Sequence, residues 1–216
     1  LAPDKITKNG YFFPVLCLYL AVLHLAVLIA FVITLLFGVG SALADYNDAM
    51  AAYSRGDYVA AAAKFQSLAE KGNAKAQFNL GFMYNSGDGV AQNYGEAVKW
   101  FRMAAKQGDV MAQYSLGGMY FRGEGVAQNY AEAVEWLRMA AEQGDSYAQV
   151  DLGFIFGSGT GVLTNYVEAH MWYSLARAQG NSGGAKGLYL LKKMMTPAEI
   201  KKAQALAAEW WKNRSN

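Results

Sequence analysis

Apolar and polar positions along the chain follow two regimes. From Tyr11 to Ala44 the chain is almost wholly apolar, and no residue between Lys8 and Asp45 is charged. After Asp45 the pattern becomes periodic at helical spacing and repeats every 36 residues: 73–108, 109–144 and 145–180 align without a gap. Fifteen positions are identical in all three, from Ala76/Ala112/Ala148 to Gly108/Gly144/Gly180. A fixed period near 36 predicts an all-α fold in which each unit cannot bury its own apolar face and must stack on its neighbours.

Each unit reads as two helices. The first follows Asn73, Asp109 or Asp145, whose side-chain oxygens suit an N-cap. It carries Ala76, Leu80, Gly81 and Tyr84 at helical spacing, then Ala112, Leu116, Gly117 and Tyr120, then Ala148, Leu152, Gly153 and Phe156. A glycine recurring at 81, 117 and 153 predicts a neighbouring helix too close for a β-carbon. Gly87 and Gly89 end the helix and supply a tight loop. The second helix starts at Asn93, Asn129 or Asn165, with Glu96, Glu132 or Glu168 at capping-box spacing. Trp100, Trp136 and Trp172 sit among small residues on its buried face, and Gly108, Gly144 and Gly180 close the unit as C-caps.

Residues 45–72 read as a divergent first repeat, with helices over Tyr46–Arg55 and Tyr58–Lys71 and Lys64 in the tryptophan slot. Residues 181–216 read as C-terminal capping helices. Gly183-Gly184 predicts a break before a helix over Ala185–Met195. Thr196-Pro197-Ala198-Glu199 is a capping box, followed by an apolar stripe of Ile200, Ala203, Leu206 and Trp210.

The first 44 residues read as a targeting segment. Lys5 and Lys8 precede the apolar run, and Ser-Ala-Leu-Ala-Asp (41–45) places small residues where a signal peptidase cuts, after Ala44. Val15–Val39 is also long enough to span a bilayer, so a retained anchor is the second reading. Both put the repeats on the non-cytoplasmic side, because the basic residues lie before the run and Asp45 and Asp48 after it. Membrane contact is then expected only through residues 11–39, and only if the segment is uncleaved. The chain opens on Leu1, as a literally translated non-standard start codon or a truncation would give.

Composition narrows the function. The chain has 19 basic and 17 acidic residues, of which Lys5, Lys8 and Asp4 fall in the first 44. The near-neutral remainder gives no electrostatic case for nucleic acid. The single cysteine, Cys17, lies in the apolar run and outside any lipobox-like string, so the repeats have no thiol for a disulfide, a metal or catalysis. His170 takes the slot that Val98 and Val134 fill, which reads as packing. Glu96, Glu132 and Glu168 are accounted for as helix starts, and Asp88 and Glu124 as loop residues. No phosphate-binding loop or calcium-loop spacing occurs. No catalytic residue, cofactor or metal site is expected.

The string Ala-Gln-x-x-Leu-Gly-x-Met-Tyr-x-x-Gly-x-Gly-Val-x-x-Asn-Tyr-x-x-Ala-x-x-Trp, at 76–100 and again at 112–136, resembles the Sel-one-like repeat family, relatives of the tetratricopeptide repeats. The third unit departs from it at Phe156 and Thr160. The resemblance implies a right-handed α/α superhelix, a solenoid of helix–loop–helix repeats, and a role in binding a protein or peptide segment. It also implies that the first helix of each pair lines the concave face. The inward slots are then Lys75, Phe78, Phe82 and Asn85; Met111, Tyr114, Gly118 and Phe121; and Tyr147, Val150, Phe154 and Gly157. Phe78, Phe82, Asn85, Met111, Tyr114, Phe121, Tyr147 and Phe154 are the candidate partner-binding residues, with packing into the core as the alternative for the aromatics. Some family members with paired cysteines are linked to β-lactam or cell-wall chemistry. A binding protein or hydrolase of that kind is the alternative function, and a structural protein built around its N-terminal helix is a third.

Overall fold

In the computed structural model, the described residues are Leu25 and 44–214. The expected targeting segment, residues 1–44, lies outside them except for Leu25 and Ala44. Two compact units are distinguished, Leu1–Asp48 and Ala49–Asn216, and the second holds the repeats. Among the described residues all regular structure is helical. Residues 44–54 form α1, followed by α2 (Tyr58–Glu70), α3 (Ala74–Ser86), α4 (Tyr94–Lys106), α5 (Val110–Arg122), α6 (Tyr130–Glu142), α7 (Ser146–Ser158), α8 (Tyr166–Ala178), α9 (Ser182–Leu191) and α10 (Pro197–Arg214). From α2 to α9 each helix packs on its neighbours in sequence, and α10 folds back on α8. This is the right-handed α/α superhelix of the expected class.

The caps explain why the helices start where they do. Asn73, Asp109 and Asp145 accept from the backbone N–H of Ala76, Ala112 and Ala148 at 3.0, 2.9 and 2.7 Å. Asn93, Asn129 and Asn165 do the same for Glu96, Glu132 and Glu168. Each cap satisfies an N–H that the first turn leaves free. At the other end of α4, α6 and α8 the C-cap is Gln107, Gln143 or Gln179, and the glycine assigned to that role follows one residue later.

Small residues set the helix spacing. Ala76, Ala97 and Ala104, and their equivalents in both later units, are fully buried. A β-carbon on Gly81, Gly117 or Gly153 would lie 2.8, 2.8 or 2.7 Å from the side chain of Phe101, Leu137 or Tyr173. Those three partners occupy one slot of the repeat, so the same close approach recurs in every unit. The Gly-x-Gly loop has a second task. Gly89 and Gly125 lie against the backbone at Tyr58–Val59 and Tyr94–Gly95, at the start of the preceding unit's second helix, and Gly161 lies against the Tyr130 ring. The loop therefore joins units.

A buried glutamine joins them again. Gln77, Gln113 and Gln149 donate to the carbonyls of Ala69, Ala105 and Ala141 in the last turn of the preceding helix, at 3.0, 3.2 and 3.1 Å. Each accepts from Gln107, Gln143 or Gln179 at the end of the next one, at 2.7, 2.8 and 2.9 Å. One amide thus fills an orphan carbonyl and both donates and accepts across the unit boundary.

Three expectations are corrected. Gly183 and Gly184 do not break the chain: α9 begins at Ser182 with Asn181 as its N-cap, and a β-carbon on Gly184 would meet the backbone of Tyr173 and Arg177. The glycines let α9 seat on α8 as the first helix of a further, degenerate unit. In α10, Ala203 and Ala207 are buried while Leu206 is exposed, because the face that meets α8 is one of small residues. Trp100 and Trp172 are buried, but Trp136 in the middle unit is only half-buried. The capping box at Thr196 forms as expected, with Glu199 Oε2 accepting from Thr196 N at 2.8 Å.

Candidate functional site

Residues of α3, α5 and α7 from the expected inward slots share one surface. On α5 the helical spacing brings Tyr114, Ser115, Gly118 and Arg122 to that surface, α3 adds Phe82 and Asn85, and α7 adds Asp151 and Phe154. These residues enclose two adjoining hollows. One, of about 280 Å3, is lined by Phe82, Asn85, Tyr114, Ser115 and Met119. The other, of about 270 Å3, is lined by Phe121, Leu137, Phe154 and Ile155. Gly118, Arg122 and Asp151 belong to both and form the ridge between them.

That ridge is polar and partly buried. The Tyr114 phenol lies beside the Asp151 carboxylate, close enough for each to shift the other's ionisation. Burial, then the Asp151 charge, pushes the Tyr114 phenol up to about 12. Burial likewise raises the Asp151 carboxyl, with Asp145 adding to the rise and the Tyr114 phenol and Arg122 opposing it. Arg122 is held by Glu124, Nε to Oε2 at 2.8 Å, and its guanidinium lies over Gly118, where a β-carbon would sit 3.0 Å from Nη1. A larger residue at 118 would displace the arginine and close the passage between the hollows. Gln92 and Gln128 fix the rim by donating to the carbonyls of Asn85 and Phe121 at 2.9 and 2.8 Å.

The sequence candidates divide into three groups. Phe82, Asn85, Tyr114, Phe121 and Phe154 line the hollows, with Phe82 43% and Phe154 52% exposed. Met111 and Tyr147 are exposed beside them, and the Tyr147 ring lies 6.4 Å from that of Tyr114. Phe78 packs on the core, its ring 5.7 Å from that of Phe101. Arg122 and Asp151 were not among the candidates. Their signal was departure from the repeat: Asp151 takes the slot of Asn79 and Ser115, and Arg122 that of Ser86 and Ser158. Among the described residues, no three of His, Cys, Asp and Glu converge as metal ligands would.

The loops that dock unit on unit and the Ala-Gln ladder are properties of one repeat type, and that type is matched at residues 74–109, 110–145 and 146–181, as the Sel1 repeat. The chain belongs to the Sel1 repeat family. Sel1 repeat proteins are in general non-enzymatic scaffolds for protein–protein interaction. Among solved structures, the chain is similar to a Sel1 repeat protein from Oxalobacter formigenes, with 33% identity and a TM-score of 0.63 over 68% of this chain and 59% of that one. It is also similar to a protective antigen of uropathogenic Escherichia coli strains that displays an SLR fold, with 34% identity and a TM-score of 0.69 over 79% of this chain and 38% of that one. The chain thus spans less than two thirds of either relative. No curated protein matches it. No helix among the described residues is long and apolar enough to cross a membrane.

Proposed function

We propose that this Sel1 repeat protein is a non-enzymatic adaptor of the bacterial cell envelope that holds an extended segment of a partner protein along α3, α5 and α7. The observation that carries this reading is the pair of hollows divided by the Arg122–Asp151 ridge. Each has room for one apolar side chain, and each has one exposed phenylalanine in its wall, Phe82 in one and Phe154 in the other. Between them Asp151 accepts and Arg122 donates, the two functions an extended backbone needs. A carboxylate whose ionisation is disfavoured by burial gains most from a partner N–H or cation. The chosen segment therefore has two apolar side chains flanking a donor. Export is supported by Lys5 and Lys8 before the apolar run and Asp45 and Asp48 after it.

Selection of peptides on the full chain from a random displayed library tests the groove. Selected peptides should carry the two apolar residues, and Phe82→Ala or Phe154→Ala should each weaken them by about 2 kcal/mol or more, as central anchors do. Lys99→Ala and Glu135→Ala, on exposed second-helix positions, should change nothing. Equal loss from all four, or none from the phenylalanines, refutes the groove. For location, an alkaline-phosphatase fusion at Gly72 should be active; an inactive one rejects export.

A further inference from the structure

The third repeat departs from its sisters at three positions on one side of α8. Val98 and Val134 give way to His170, Arg102 and Arg138 to Ser174, and Ala105 and Ala141 to Arg177. The valines and alanines are core in α4 and α6. On α8 the replaced side opens on a cavity of about 650 Å3 formed with α9, its C-cap Lys192, and α10. At this end of the stack α8 packs on both α9 and α10.

Its lining has a consistent chemistry. His170 is only 8% exposed, and its Nδ1 lies 3.2 Å from Ser174 Oγ. Burial, and then the Arg177 charge, hold the imidazole below its ordinary range, so His170 is a neutral hydrogen-bonding group at physiological pH. Gln204 adds an amide and Leu188 and Ile200 an apolar wall. Arg177 and Lys192 both line the cavity, no Asp or Glu does, and neither cation is in an ion pair among the described residues. Two permanent positive charges without a counter-ion favour an anion, and the volume falls in the range of small-molecule sites.

We infer that the cavity between α8, α9 and α10 binds a small organic anion, a carboxylate or phosphate on an apolar body, with Arg177 and Lys192 on the charge. This surface is separate from the α3–α5–α7 groove, and the inference stands without the adaptor reading. Titration of the full chain with octanoate and with octyl phosphate, against octylamine and octanol, tests it by calorimetry and by imidazole NMR signals assigned with His170→Gln. At least one of the two anions should bind, move the His170 signals and exceed octylamine and octanol in affinity by about tenfold or more; which anion wins identifies the head group. The double variant Arg177→Gln/Lys192→Gln changes two exposed side chains and should keep its helical circular dichroism while losing that preference. Equal affinity for octanol or octylamine, an unmoved His170, or full retention of anion binding in the folded double variant overturns the inference.

Discussion

Gln113 and Tyr114 are neighbours in sequence with opposite fates. Gln113 faces inward and spends its amide on Ala105 and Gln143, so its slot is invariant across the three units. Tyr114 faces the groove beside Asp151, which no sister unit has, so its slot varies as Phe78, Tyr114, Val150. Periodicity marks the first kind of residue and is blind to the second. The aromatic row was legible because aromatics at helical spacing are conspicuous, whereas Arg122 and Asp151 were not, since a single charge within one repeat reads as ordinary surface. The Tyr114–Asp151 pair has a pH signature. With its pKa pushed up to about 12 from 10.0, folded Tyr114 keeps a proton that the unfolded chain releases between those values. Its contribution is complete below the unfolded value and is lost as pH rises through the folded one. Tyr114→Phe should thus be less stable near neutral pH, by roughly 1–3 kcal/mol. Its denaturant unfolding curve should converge on that of the parent as pH rises from about 10 to 12. A constant gap across that range would show that the phenol proton plays no part.

At the scale of elements, helix starts were legible because Asn and Asp caps act locally, through one side chain and one turn. The close contact at Gly81, Gly117 and Gly153 was legible too, because a helix tolerates such a glycine only for a packing reason. The end of the stack departs from its sequence signature for a related reason. Gly183-Gly184 carries the signature of a loop, but long-range packing on Tyr173 and Arg177 decides its conformation, and local propensity yields to it. The Gly-x-Gly loop is both a turn and an interface. Gly108 and Gly125 separate those two duties. Both have positive φ, at 90° and 68°, but a β-carbon meets nothing within 4 Å at Gly108 and strikes the Tyr94 carbonyl at Gly125. Gly108→Ala should cost about 1–3 kcal/mol, the backbone term alone. Gly125→Ala should add overpacking of similar size, for a total near twice that. Equal losses in thermal or denaturant unfolding would mean that the loop does not fasten one unit to the next.

At the largest scale, the repeat-bearing unit is a row of helices from α2 to α10 in which each contacts chiefly its neighbours, so stability should be graded along the row. The central units are fastened on both sides by glutamine ladders and docked loops. Further along, Arg138 on α6 pairs with Glu168 at 2.8 Å and lies over the rings of Phe156 and Trp172. Arg102 reaches Tyr120 Oη at 2.9 Å in the unit before. The C-terminal end lacks this set: Ser174 stands in the arginine slot, α9 has no glutamine in the ladder position, and α10 attaches through Ala203 and Ala207 with Ile200 and Trp210 beside them. Alanine faces remove little apolar area per residue, so α10 should be held less firmly than α5 or α6. Amide hydrogen exchange on the full chain should therefore show protection highest in α4–α7 and falling through α9 to α10, with α10 opening before global unfolding. Stopping the chain after Met195 should uncover the side of α8 that carries His170 and Ser174, destabilise α8 and α9, and leave α3–α6 with near-parental protection. Uniform protection from α3 to α10, or collapse of α3–α6 on that truncation, would make the molecule one cooperative block and contradict a stack fastened unit by unit.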